Sequence, residues 1–282
     1  MRLAPFVVDG VKRTVMMKKT LLSLLLLCAA LPSAAQSSNE IGLFLGGSYY
    51  TGELNQAGHL NSLTRPAAGL VFRHNFNYRF AVAGSLLFGS VEGIDSRSGQ
   101  LEQQRRNLSF RSRMFELSAR AEFNFIEYAI GNDKYEFTPF MFVGIGVFNF
   151  NPKAALGNEW VALQPLRTEG QSKGYMLTQL SIPFGAGVKF NLAKRIGLVA
   201  DWGLRKTFTD YIDDVSTVYA DPALLLANSG PLAVTLADRG PTGDNAGRQR
   251  GNSRNKDWYS FIGLTLTFRL MEKPVQCSGV GI

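Results

Sequence analysis

Few residues of this 282-residue chain could do chemistry, and they are scattered. The histidines are His59 and His74; the cysteines are Cys28 and Cys277. A nucleophile needs a base within hydrogen-bond reach, and no motif places a serine and an acid beside either histidine. The acidic run Asp210, Asp213, Asp214 and Asp221 offers the oxygens calcium takes, but without the spacing and glycine of a calcium loop. It reads instead as a solvated loop or as partners for Arg239, Arg248 or Arg250. No glycine-rich loop joins a strand to a helix to cradle phosphate, and no segment reads convincingly as a helix. Neither a cofactor, a metal nor a small-molecule substrate is implied.

The elements that must position these residues begin with a leader. Lys18 and Lys19 precede an apolar run, Leu21–Leu31, and Ser33-Ala34-Ala35 then offers small residues for cleavage. This is the form of a secretory signal peptide, and the apolar run is short of the ~20 residues a spanning helix needs. Residues before Met16 read as an over-extended start, the leader beginning at Met16 or Met17. Leu27 before Cys28 is too large for a lipoprotein signal. Cys28 leaves with the leader, so Cys277 is the one mature thiol and no disulfide or cysteine metal site can form within a chain. Losing Arg2, Lys12, Arg13, Lys18, Lys19 and Asp9 lowers the formal charge from +8 to +4, which gives nucleic-acid binding little support. The chain divides into 1–35 (extension and signal), 36–270 (the structured body) and a short tail, 271–282.

The body is a succession of period-two segments, a pattern that puts successive side chains on opposite faces of a strand. Eight are expected: Glu40–Thr51, Arg65–His74, Tyr78–Ser90, Leu108–Phe125, Glu136–Asn149, Leu177–Phe190, Ile196–Arg205 and Asp257–Leu270. Leu108–Phe125 is the plainest, with Phe115, Leu117, Ala119, Ala121 and Phe123 alternating with Glu116, Ser118, Arg120, Glu122 and Asn124. Connections alternate between short (75–77, 126–135, 191–195) and long (52–64, 91–107, 150–176, 211–256). An even strand count with short turns at one end and long loops at the other is the arrangement of an all-β, eight-stranded antiparallel transmembrane outer-membrane β-barrel, its short turns periplasmic and its long loops external. The competing fold is a secreted lipocalin-type barrel, apolar inside and polar outside. Two features favour the transmembrane form: glycine-rich non-apolar faces, and aromatics at strand ends (Tyr49, Tyr50, Tyr78, Phe80, Phe148, Trp202, Trp258) that suit interfacial girdles.

The interior of such a barrel is narrow enough for its own side chains to fill. The inward faces carry Arg73, Arg79, Glu116, Arg120, Glu122, Lys189, Asp201 and Arg205. Mixed signs in a confined space favour an ion-paired plug over a conducting pore, with Asp201 and Arg205 one expected pair. His59 and His74 fall at opposite ends of the barrel and cannot share a site. An outer-membrane lipid-modifying enzyme built on His59 is a further alternative.

The loops add what alternation does not. NLSFRS (Asn107–Ser112), FTPF followed by GIGVFNFNPKA (Phe137–Ala154), EWVALQPLRTEGQ (Glu159–Gln171), SIPFGAGVKF (Ser181–Phe190) and RKTFTDYIDDVSTVYAD (Arg205–Asp221) resemble the PorG-like outer-membrane barrel family of Bacteroidetes, with QRG (Gln249–Gly251) and DWY (Asp257–Tyr259) following in order. The resemblance implies a non-enzymatic outer-membrane component of type IX protein secretion, an anchor or scaffold for a periplasmic ring of a lipoprotein and its partner. Partners on this reading are outer-membrane lipid and the ring proteins; the alternative is a small barrel with a surface adhesion or envelope-integrity role. The signature residues are Thr168, Glu169, Gly170, Gln171, Asp210, Tyr211, Asp213, Asp214, Tyr219 and Asp221. Either their loops make a partner contact or they fold back over the barrel mouth. The turn Ile126–Tyr135 is the candidate face for the ring.

Overall fold

A computed structural model describes residues 37–55, 62–241 and 243–270. The leader, Cys28, His59, Cys277 and the tail lie outside the described residues.

Nine strands are formed: β1 (Ser38–Thr51), β2 (Arg65–Asn75), β3 (Phe80–Ile94), β4 (Ser109–Asn124), β5 (Phe137–Leu156), β6 (Glu159–Ala162), β7 (Thr178–Ala193), β8 (Ile196–Thr207) and β9 (Trp258–Arg269). Hydrogen bonding runs β4-β3-β2-β1-β9-β8-β7-β5, and β4 then pairs with β5, closing the sheet. Every pairing is antiparallel. Eight staves therefore make a closed barrel, and closure leaves no unpaired edge.

The outward face is apolar and exposed: Leu45 is 59% exposed, Ile145 73% and Leu180 61%. Such a continuous band is what lipid covers, and the inverse of a lipocalin-type exterior. Among the described residues no helix is long and apolar enough to cross a membrane. Among the expected girdle aromatics, Tyr50 and Phe148 are corrections. Both point inward and are fully buried, because their positions share the pleat of the lumen face.

The staves run on past the band at the long-loop end. β5 spans 20 residues, about twice the ~9–11 that cross a bilayer. Within the band its outward residues are Val143, Ile145 and Val147; beyond it they are Asn149, Asn151 and Lys153, while Phe148, Phe150 and Ala154 are buried inside. The outward face turns polar while the inward one stays apolar, because lipid outside has given way to water. The expected loop 150–176 is therefore in part a β5–β6 hairpin. Three short helices also stand in the long loops, Leu101–Arg106, Pro222–Ser229 and Pro231–Ala237. Asp221 caps the second, accepting from the amide of Ala223 at 2.7 Å, and Pro222 opens it. An Asp-Pro step is the start signal that could have revealed it.

Glycine makes room inside. Gly185 and Gly203 face each other across β7 and β8, and a Cβ on either would lie 2.8 Å from the Phe142 ring. Gly203→Val should push Phe142 off its site and destabilise the barrel by about 1–3 kcal/mol, the ordinary cost of overpacking. Urea titration read by heat-modifiable gel migration checks this; an unchanged midpoint would contradict it.

Candidate functional site: a charged lumen and a lid over the barrel mouth

Inside, the charges brought together are Arg73, Glu116, Arg120, Glu122, Lys189, Asp201 and Arg205, with Glu40 joining them. Glu122, fully enclosed on β4, takes three cations: Arg73 at 2.8 Å, Lys189 at 2.7 Å and Arg120 at 2.9 Å. Arg73 also reaches Glu40 at 2.8 Å, and Arg120 reaches Asp201 at 2.7 Å. Three acids and three bases from five staves thus balance. Nearer the long-loop end Arg205 meets Glu116 at 3.0 Å, and Tyr259 and Ser118 donate to the same carboxylate. Arg120, Lys189 and Arg205 each lie against an aromatic face, Phe142, Phe140 and Phe261 respectively, 4.5–4.7 Å from the ring centres.

Two expectations about the lumen are corrected. Arg79 is not in it: β3 begins at Phe80, so the pleat no longer fixes its direction, and the exposed guanidinium donates to the carbonyl of Phe125 at 2.7 Å. Asp201 and Arg205 are not a pair, since each finds its partner across the barrel on β4. Glu40 was missed because it opens the first strand, where alternation is weakest as a signal.

Over the long-loop end the signature residues form one assembly. Glu169 accepts from the amide of Ser216 (2.8 Å), the amide and hydroxyl of Thr217 (3.0 and 2.7 Å) and Arg250 (3.1 Å). Asp214 accepts from Thr168 at 2.5 Å and Tyr175 at 2.7 Å, and its cationic neighbour is again Arg250, at 3.6 Å. Tyr175 stacks on Tyr211, 4.7 Å between centres. Tyr219 pairs its backbone with Gly247 and Arg248. Gly170, at φ +73, closes the turn from Arg167, a left-handed position that favours glycine. Gln171 accepts from the amide of Glu169.

Asp210, Asp213 and Asp214 are buried, which corrects the expectation of a solvated acidic loop; of the four, only Asp221 is exposed. Of the three arginines considered as partners, Arg250 takes the role. Arg239 reaches Ser109, and Arg248 reaches Asn245.

Beneath this assembly Tyr50 lies within hydrogen-bond distance of Asp213 (2.6 Å) and Asp257 (2.9 Å), and Asp257 also accepts from the amide of Ile212. Glu53 completes a buried trio with Asp213 and Asp257, their nearest oxygens within 4.8 Å of one another. These oxygens are of the type a hard cation accepts. Sequence spacing could not have joined them, for Glu53 and Asp257 come from opposite ends of the body. Burial pushes Asp213 and Asp257 well above the usual carboxylate range, with their acidic neighbours adding to it. Burial likewise raises Asp210 to about 7, and Asp214 to about 6 against the opposing pull of Arg250. Among the described residues His74 is the remaining histidine; it meets Asn39 at 2.8 Å and packs on Phe76, away from the lid.

Two outcomes are expected. Glu122→Gln leaves three lumen cations short of an acid and should cost about 3–5 kcal/mol, read as a lower urea midpoint. The lid should loosen with rising pH. Asp210 and Asp214 bind protons more tightly folded than unfolded, so their stabilisation is full below pH ~3.9 and disappears as pH passes 6 to 7. Amides of 210–217 should exchange more slowly at pH 5 than at pH 8 after correction for intrinsic rates, and Asp210→Asn should flatten the difference; the reverse slope would refute it.

Comparisons with known proteins place these observations. No curated protein sequence matches the chain. Among solved structures it is similar to the attachment invasion locus protein Ail of Yersinia pestis, with 11% identity and TM-score 0.41, covering 83% of this chain and 99% of that one. It is also similar to Neisserial surface protein A, with 7% identity and TM-score 0.42, covering 83% and 99%. The outer membrane protein OprG of Pseudomonas aeruginosa gives 9% identity and TM-score 0.38, covering 83% and 98%. The family described as a domain of unknown function, DUF6089, matches residues 18–222. That span takes in the first seven staves, the lumen network and most of the lid, and the chain belongs to the DUF6089 family.

Proposed function

We propose that the protein is an exported, non-enzymatic integral outer-membrane component of type IX protein secretion, anchoring or scaffolding a periplasmic ring. The observation that carries the scaffold reading is the lumen itself. Its charges are consumed by one another, and the lid spends its signature side chains on internal contacts, which suits a rigid anchor better than a conduit or a catalyst. The assignment to type IX secretion draws on the PorG-like resemblance of the loop sequences.

A ring partner would meet the short-turn end. There the segment 126–135 folds across the barrel: Ile130 is buried, its carbonyl accepting from Arg269 at 2.9 Å, and the amide of Gly131 donates to Asn191. Asp133 and Lys134 are left exposed at the tip. A second reading, a surface adhesion or envelope-integrity role, has its own support in Leu224, Leu226 and Leu232, which the long-loop helices leave 62%, 55% and 44% exposed.

Deleting the gene and assaying export of type IX cargo tests the proposal, together with recovery of ring proteins on the tagged barrel. Export should fail, and the double reversal Asp133→Lys with Lys134→Asp should lose ring proteins while the barrel stays heat-modifiable. Normal export with no ring association would overturn it.

A further inference from the structure

A cavity of about 1310 Å³ lies at the long-loop end, apart from the lumen network. Part of its wall is formed by the tops of three adjacent staves: Thr51 on β1 pairs with Trp258 on β9, which pairs with Lys206 on β8. Each of the three alternates with an inward, buried neighbour, Tyr50, Tyr259 or Arg205. Their side chains therefore share the outward face with Trp202, Leu204, Ile262 and Leu264, and stand directly above the apolar band. That height is where lipid headgroups meet the barrel, and where tryptophan is favoured.

The remaining walls come from the helix Leu101–Arg106 and from the segment 245–256. Two of the lining arginines are already neutralised, Arg106 by Asp95 and Arg250 by Glu169 and Asp214. Arg105 meets Glu102 only loosely, at 3.7 Å on an exposed helix face. Among the described residues Lys206, Arg248, Arg254 and Lys256 form no ion pair, although all four line the cavity. Glu53, the other lining carboxylate, belongs to the acidic trio of the lid.

We propose that this cavity seats the phosphorylated headgroup of a lipid from the leaflet surrounding the long-loop end. Four cations outside any close ion pair, of which Lys256 alone feels an acid, Asp210, at longer range, call for a ligand with several negative charges, and arginine and lysine are the side chains that meet phosphate oxygens. The volume exceeds the ~300–1,000 Å³ of ordinary small-molecule pockets, so a lone anion would leave most of it to water, whereas a sugar carrying more than one phosphate would occupy it. The wall of outward-facing strand residues lets the acyl chains of such a lipid descend along β8 and β9 while the headgroup stays among the cations.

Native mass spectrometry of the full-length protein in detergent provides the test, with three probes: lipid A bearing both phosphates, lipid A stripped of phosphate, and inorganic phosphate. The phosphorylated lipid should be retained at least about tenfold more tightly than the stripped form, and the triple variant Lys206→Gln, Arg254→Gln, Lys256→Gln should lose that preference. Lys194→Gln with Arg195→Gln, which removes two charges at the opposite end, should change nothing. Each variant is accepted only if its heat-modifiable migration is retained, and Arg254→Gln alone, at an exposed side chain, serves should the triple variant misfold. Equal retention of the two lipid forms, indifference to the variants, or full displacement of the lipid by inorganic phosphate at matched concentration would each overturn the proposal.

Discussion

Glu122 is the contact on which the rest of the barrel depends. Three cations from three different staves converge on one enclosed carboxylate. Desolvating any of these charges alone would cost several kcal/mol, and a closed eight-stranded interior has too little room for water to carry that burden. The network therefore fixes register as well as stability. A slip of one residue in β4 would turn Glu122 and Arg120 together toward lipid and leave Arg73 and Lys189 without their common partner. Phe140, Phe142 and Phe261 fill what the ion pairs leave, each lying against one of the cations.

The staves were legible because lipid demands alternation, and Phe115 to Phe123 obey it without exception. What was less legible lies where that demand stops. Asn151 and Lys153 looked like loop because outward positions had become polar, yet the chain remains strand with its apolar residues turned inward. Arg79 failed for the related reason that a pleat ends with the ladder. In both cases the sequence pattern changed its meaning at a boundary between two environments, one at each end of the barrel.

The lid was legible in a different way. Thr168–Gln171 and Asp210–Asp221 stood out by resemblance as two marked segments, and the structure makes them one object, joined by Glu169, Asp214 and Arg250. No local pattern announces a contact across 81 residues such as Glu169 to Arg250. The burial of Asp210, Asp213 and Asp214 was similarly hidden, since acidic residues in a long loop are ordinarily solvated. Here burial is compensated by hydroxyl donors, backbone amides and one arginine, and where those are scarce the carboxyls hold their protons to higher pH.

Tyr50 and Asp257 sit on or beside the first and last staves, and their contact crosses the seam at which β1 and β9 join. A chain inserted stave by stave lacks that seam until its final strand arrives. Asp257 can then meet Tyr50, Asp213 can settle beside both, and the segment between β8 and β9 acquires its floor. The floor beneath the covering is thus tied to closure of the barrel, because Tyr50 and Asp257 are brought together where β1 and β9 pair.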